Sequence, residues 1–255
     1  MKAPENTLKK ALKANSLQFG CWVNLDGTVG AEIVGRAGFD WALIDAEHGP
    51  NGINDIMLKL QVLEGLNTSS IVRVPIGETW IIKQVLDAGA QSILVPIVED
   101  HQQASELVQA VRYPPIGKRG VGSAVARAAH FGNLTEYLTS ADEQICLVIQ
   151  LETQKGLLAL DDLLEIEGID GIFIGPSDLS ADMGYLGNPE APEVQDVILG
   201  ALKKIANSEK VAGILSLTKS KTKQYIKGGA KMIGIASDVL TLNEALKSKT
   251  LDFKK

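Results

Sequence analysis

Eight short, continuously apolar runs punctuate the chain, near Phe19–Val23, Trp41–Asp45, Ser70–Val74, Ser92–Val95, Ile145–Leu151, Gly171–Ile174, Val211–Leu215 and Lys231–Ala236. Continuous rather than alternating hydrophobicity is what a parallel strand covered on both faces requires. Between the runs, apolar residues recur at i, i+3, i+4 spacing. One set is Ile53, Ile56, Met57, Leu60 and Leu63; another is Ile81, Ile82, Val85 and Leu86; a third is Val194, Val197, Ile198, Ala201 and Ile205. These predict helices. Glycines at Gly38, Gly65, Gly89, Gly168 and Gly228-Gly229 mark the returns from helix to strand, as C-terminal caps do. Eight strands alternating with helices predict an α/β chain closed into a (β/α)8 TIM barrel. A doubly wound sheet would call for an early Gly-x-Gly-x-x-Gly turn, which the sequence lacks. With no internal repeat and no low-complexity linker, residues 1–255 read as a single (β/α)8 domain.

The longest excursion runs from Val111 to Ala141 and holds Tyr113-Pro114-Pro115-Ile116-Gly117-Lys118-Arg119-Gly120-Val121-Gly122. A loop so rich in glycine and proline is usually functional or a subunit contact. Arg119, Arg127 and His130 have no obvious local partners, which places Arg119–Phe131 at a subunit boundary, with Arg127 leaning toward a neighbour's site. After the eighth run only one short helix is expected, about Leu242 to Leu246.

Composition narrows the class rather than the function. Hydrophobic residues at 45% and charged residues at 22% suffice for a sizeable core. A net charge of -6 argues against nucleic acid or acidic membrane surfaces as partners. No apolar run approaches the roughly 18 residues that cross a bilayer. The polar stretch Met1 to Lys10 lacks the apolar segment of a secretory signal, so the cytoplasm is the expected location. Cys21 and Cys146 sit in apolar runs without Cys-x-x-Cys spacing and read as buried thiols.

In a barrel of this kind the chemistry lies at the C-terminal ends of the strands. Those ends carry Trp22, then Asp45, Glu47 and His48, then Arg73, Pro96, Gln150 and Glu152, then Ser177 and Asp178. The loop Asp45-Ala46-Glu47-His48-Gly49-Pro50-Asn51 holds one of only three histidines. Glu152 and Asp178 come from neighbouring strands, and two carboxylates with open positions suit Mg²⁺, Mn²⁺ or Co²⁺. The alternatives are a helix N-cap for Asp178 and a salt bridge to Lys155 or Arg73 for Glu152. Arg73 ends an apolar strand, where a guanidinium needs an anion: a substrate carboxylate, a developing oxyanion, or Glu152. His48 is a metal ligand, a general base or a helix cap, and Asp45 is placed to hydrogen-bond one ring nitrogen. No predicted strand end carries a lysine, which disfavours a Schiff base.

These segments resemble the HpcH/HpaI family of metal-dependent pyruvate aldolases. The matching stretches are Asp45-Ala46-Glu47-His48-Gly49-Pro50-Asn51, Val72-Arg73-Val74-Pro75 and Gly89-Ala90-Gln91-Ser92-Ile93-Leu94-Val95-Pro96. They continue through Arg112-Tyr113-Pro114-Pro115, Gly117-Lys118-Arg119-Gly120-Val121-Gly122, Ala126-Arg127-Ala128, Gln150-Leu151-Glu152-Thr153 and Ile174-Gly175-Pro176-Ser177-Asp178-Leu179-Ser180. The resemblance implies that Glu152 and Asp178 hold the divalent cation. It also implies that Arg73 and Gln150 contact the pyruvate end and that the backbone near Ser177-Asp178 binds its carboxylate. His48 paired with Asp45 would be the acid/base dyad, with Trp22 and Leu215 lining the aldehyde side. The implied fold is a barrel whose last helix is exchanged with a neighbouring subunit, in a hexameric assembly of dimers. The implied reaction is cleavage of a 4-hydroxy-2-oxo acid to pyruvate and an aldehyde, with the reverse addition. An oxaloacetate decarboxylase or another lyase of 2-oxo diacids is the alternative, and a non-catalytic acid-binding barrel a remote one. Ser177 stands where the family commonly has alanine, and Ser216-Leu217-Thr218-Lys219 and Gly234-Ile235-Ala236-Ser237-Asp238 are less typical. These departures leave the aldehyde open.

Overall fold

The structure, a computed structural model, describes residues 1–254. The strands are β1 (Gln18–Val23), β2 (Trp41–Asp45), β3 (Ser69–Arg73), β4 (Ser92–Val95), β5 (Cys146–Leu151), β6 (Gly171–Ile174), β7 (Val211–Leu215) and β8 (Met232–Ser237). They close into a barrel in sequence order, every pair parallel, with β1 bonded to both β2 and β8. The expected strands agree to within one residue at each end.

The barrel interior is filled by aromatics that the strands make room for. Trp22 meets Trp41 edge-on, ring centroids 5.5 Å apart, and lies 5.6 Å from Phe173. Gly20 lies against the Trp41 ring, Gly213 against Phe173 and Gly234 against Trp22, so a methyl group at any of the three would collide with an indole or phenyl ring. Close-packed interiors do not absorb such volume. Gly213→Ala is therefore expected to lower stability by about 1–3 kcal/mol, read from a urea unfolding midpoint.

Outside, the predicted helices form at Ile53–Glu64, Thr79–Asp87 and Pro192–Ala206, burying Ile56, Leu60 and Leu63 on the first and Ile81, Ile82, Val85 and Leu86 on the second. A helix that the apolar pattern did not signal, Thr7–Lys13, seals the N-terminal mouth of the barrel with Leu8 and Leu12. Its N-cap Asn6 accepts from the Lys9 backbone and donates to Ser92 Oγ at 2.9 Å. Cys21 and Cys146 are buried free thiols, as expected.

Two expectations are corrected. The last helix is not the short Leu242–Leu246 element but Asp238–Phe253, and none of its described residues is buried. Its apolar side chains Leu242, Leu246, Leu251 and Phe253 face away from this chain's core, so no stripe aimed at that core marked its length. The charges of the Val111–Ala141 excursion do find partners within this chain. Arg119 is fully buried, pairs with Asp87 at 3.0 Å and lies over the Tyr113 ring at 4.5 Å. Arg127 pairs with Glu64 and donates to the Ala88 carbonyl at 3.1 Å. The ionic partners Asp87 and Glu64 are more than thirty residues away in sequence, which hid them. The excursion joins the helix His101–Ala110 to β5, so within one chain it lies on the face opposite the strand C-terminal ends.

Candidate active site

The C-terminal ends of β1, β2, β3, β5, β6, β7 and β8 surround a cavity of about 620 Å³. Trp22, Asp45, His48, Arg73, Gln150, Ser177, Asp178 and Leu215 all line it, so the strand ends bring together the residues the sequence singled out. Glu152 lies just beneath, 2% exposed.

Arg73 ends β3 and is held in a fork. Its Nε donates to Asp45 Oδ1 at 2.9 Å and its Nη2 to Asp45 Oδ2 at 2.7 Å, while Nη1 stands 2.7 Å from Glu47 Oε2. Bidentate pairs of this kind fix the plane of the guanidinium. Burial disfavours both charges, but the Arg73 hydrogen bonds and charge outweigh it and hold the Asp45 carboxyl below its usual range. The same pairing keeps Arg73 charged. Glu47 behaves differently: burial pushes its carboxyl upward, against the pull of Arg73.

Asp45 does not bond the imidazole ring. Its Oδ1 accepts from the backbone N–H of Glu47 at 3.1 Å and of His48 at 3.4 Å, so the acid shapes the loop instead. The ring projects into the mouth, its side chain 64% exposed, with Nε2 3.9 Å from Glu47 Oε2. Glu47 is thus the carboxylate that faces the imidazole.

Sequence reasoning missed the support beneath this loop. Asn24 Nδ2 donates to Asp45 Oδ2 at 2.7 Å, and Ser237 Oγ donates to Asn24 Oδ1 at 3.0 Å. Asp238, the first residue of the last helix, accepts from the backbone of Asn24 at 2.9 Å and Leu25 at 3.1 Å. From the other side Lys59, fully buried, donates to the Leu25 carbonyl at 2.6 Å and to Asn51 Oδ1. Asn51 Nδ2 in turn donates to the Asp45 carbonyl at 2.6 Å. Lys59 carried a usable signal, since a lysine inside an apolar helical stripe implies a buried partner.

Glu152 forms neither of the alternative salt bridges: Lys155 pairs with Glu99 and Asp100, and Arg73 with Asp45 and Glu47. Its oxygens accept instead from the Ile97 backbone at 2.8 Å and from Gln150 Nε2. Asp178 does not cap its helix, Pro176–Asp182; the cap position is Gly175. Gly175 is small of necessity, because a Cβ there would stand 2.5 Å from Glu152 Oε2. Burial pushes the Glu152 carboxyl up to about 7, opposed by its two hydrogen bonds and assisted by the Asp178 and Glu47 charges.

The donor set fits a hard divalent cation. Among the described residues, the buried Gln150 Oε1 has no hydrogen-bond partner, and Glu47 Oε2 has only the Arg73 guanidinium beside it. A buried acceptor left open beside a carboxyl that resists ionisation is what a missing positive charge leaves behind. No three His, Cys, Asp or Glu side chains among the described residues group as a metal ligand set, so a cation held here would draw its remaining oxygens from substrate and solvent.

The chain matches the HpcH/HpaI aldolase/citrate lyase family model over residues 18–245. It is 48% identical over 254 residues to a hydroxypyruvate/pyruvate aldolase of Roseobacter denitrificans, covering 100% of this chain and 99% of that one. It is 43% identical over 249 residues to a 4-hydroxy-2-oxo-heptane-1,7-dioate aldolase of Escherichia coli, covering 98% and 95%. A crystal structure of an HpcH/HpaI aldolase/citrate lyase family protein from Burkholderia cenocepacia superimposes with a TM-score of 0.93 at 32% identity, covering 98% of this chain and all of that one.

Proposed function

Because the chain belongs to the HpcH/HpaI aldolase/citrate lyase family, we propose that its cavity cleaves a 4-hydroxy-2-oxo acid into pyruvate and an aldehyde and runs the reverse addition. It is a carbon–carbon lyase of the pyruvate aldolase class. The observation that carries the cofactor reading is the buried Glu152 carboxyl, raised to about 7 beside Asp178 and the open Gln150 Oε1. Glu152 and Asp178 hold a divalent cation, Mg²⁺, Mn²⁺ or Co²⁺, which when bound supplies Lewis acidity toward the 2-oxo acid.

The chain's own groups do the rest. Arg73, locked by Asp45, presents fixed positive charge where the enolate oxygen develops. One such preorganised contact is typically worth roughly 2.7–4 kcal/mol in the transition state. Gln150 contacts the same end of the substrate, and the backbone at Ser177-Asp178 binds the pyruvate carboxylate. His48 takes the proton from the C4 hydroxyl as the bond between C3 and C4 breaks; the bonding pair passes into the pyruvate enolate, whose C3 then takes up a proton from solvent while the exposed His48 ring gives its own back. Trp22 and Leu215 flank the departing aldehyde. Pyruvate consumption across a panel of aldehydes, with and without chelator, tests the reading. Consumption undiminished by chelation, or a borohydride-trapped lysine adduct, defeats it.

Cation binding must displace the Glu152 proton, which gives the affinity a predictable pH dependence. A carboxyl raised in the folded state favours folding at low pH, and that advantage is lost as pH rises from the ordinary glutamate range through about 7. A bound cation reverses the loss. Its affinity, measured calorimetrically, is expected to climb up to about tenfold per pH unit below 7 and to level off above.

The assembly is a homo-oligomer, a hexamer of exchanged pairs. The last helix exposes Leu242, Leu246, Leu251 and Phe253, and the excursion exposes Val121, Val125 and Phe131. Apolar surface of that extent is normally covered by another subunit. No helix among the described residues is long and apolar enough to cross a membrane; the cytoplasm suits an enzyme of small metabolites with two free thiols.

A further inference from the structure

Lys59 stands midway along the helix Ile53–Glu64, on the same inward stripe as Ile56, Leu60 and Leu63, and is fully buried. A methionine would fill that place and avoid the cost of desolvating a charge. Burial pulls the ammonium below the usual lysine range, against the charges of Asp55, Asp238 and Asp26. What the ammonium adds is a pair of hydrogen bonds, both to neutral oxygens. One goes to the Leu25 carbonyl at 2.6 Å, in the loop that leaves β1; the other goes to Asn51 Oδ1, in the loop that leaves β2.

The second bond decides how Asn51 stands. With its oxygen held by Lys59, its Nδ2 donates to the Asp45 carbonyl at 2.6 Å and to the Val23 carbonyl at 3.4 Å. The Asp45–Ala46 peptide is gripped on both sides, because the Ala46 N–H donates to the Arg73 carbonyl at 3.0 Å. Gly49 folds back over the same point: a Cβ there would stand 2.5 Å from the Asp45 carbonyl oxygen and 2.7 Å from Asn51 Nδ2. His48 lies between these two fixed residues, and its exposed ring takes its place from that backbone. Arg73 is fixed otherwise, by the β2–β3 register that sets Asp45 opposite it and by the carboxylate fork.

We infer that Lys59 is a positioning residue for His48: through Asn51 it sets the turn that carries the imidazole, without touching substrate. The inference rests on the pyruvate aldolase reading and on the proton transfer it gives to His48. Lys59→Met keeps the stem and removes both hydrogen bonds. With Mg²⁺, its cleavage of 4-hydroxy-2-oxopentanoate is expected to fall by roughly 10- to 100-fold, the scale of a catalytic group misplaced by about 1 Å. Oxaloacetate decarboxylation, which takes no hydroxyl proton, is expected to stay near the parental rate, because Arg73 keeps its fork. The ratio of the two activities is the readout, since lost stability alone removes both in equal proportion. Asn51→Asp keeps a partner for Lys59 but withdraws the N–H from the Asp45 carbonyl; it is expected to show the same split and decides the matter where Lys59→Met does not fold. His48→Ala, run alongside, sets the largest split available. Selective loss of cleavage supports the inference. Activities unchanged, or lowered in equal proportion, overturn it and leave the aldolase reading standing. A parent that cleaves neither 4-hydroxy-2-oxopentanoate nor 4-hydroxy-2-oxoheptanedioate overturns the aldolase reading itself.

Discussion

Arg73→Ala lowers retro-aldol cleavage and oxaloacetate decarboxylation together, each by about 10²–10³-fold, the usual cost of one preorganised oxyanion contact. Both reactions pass through a pyruvate enolate, and Arg73 is the fixed cation at the rim of the cavity. His48→Ala behaves differently. It lowers aldol cleavage by about 10²–10⁴-fold, the range for general acid–base catalysis, and spares decarboxylation, which has no hydroxyl proton to remove. Arg73→Lys accompanies the alanine variant, because alanine leaves the buried Asp45 carboxylate without its partner and strains the fold as well as the chemistry. Parallel assays on the same preparations, with unfolding curves, separate the two effects. Equal loss of both activities in His48→Ala would reassign the imidazole to binding or loop structure.

Glu152→Gln removes one of the two proposed anionic cation ligands while keeping the side chain's shape. Activity at saturating Mg²⁺ is expected to fall by at least about 10²-fold, and cation affinity by a comparable factor. The folded protein itself should not suffer. Glu152 is buried and raised to about 7, so a neutral amide removes a burden that the cation-free fold carries at neutral pH. Thermal denaturation in chelator is therefore expected to show Glu152→Gln at least as stable as the parent. The same scan with Mg²⁺ should raise the parent's midpoint and leave the variant's unmoved. A variant that keeps full activity and full cation affinity would remove Glu152 from the site.

The sequence carried the barrel because parallel strands buried on both faces announce themselves as unbroken apolar runs, as Ala42–Ile44 and Leu147–Ile149 do. It carried the rim residues for a related reason: Arg73 and Glu152 are ionisable groups adjoining runs that have no other use for them. What stayed hidden depends on contacts distant in the chain. Asp87 and Glu64 neutralise Arg119 and Arg127 from helices far upstream. Asn24 reaches Asp45 only because β1 and β2 are neighbours. A spacing of three residues suggests pairing His48 with Asp45, yet the turn aims the carboxylate at the backbone. The last helix reads short in the sequence because its apolar side chains are not buried against this chain.

The hydrogen-bonded line from Ser237 through Asn24 and Asp45 to Arg73 begins at the root of that same helix. Under the proposed exchange, the helix that docks on a neighbour is also an anchor of that arginine. The line is nevertheless already closed within one chain, so the guanidinium keeps its aim before any partner arrives. Assembly would add cover to a site whose aim is set beforehand, and dilution should leave the arginine's fork intact.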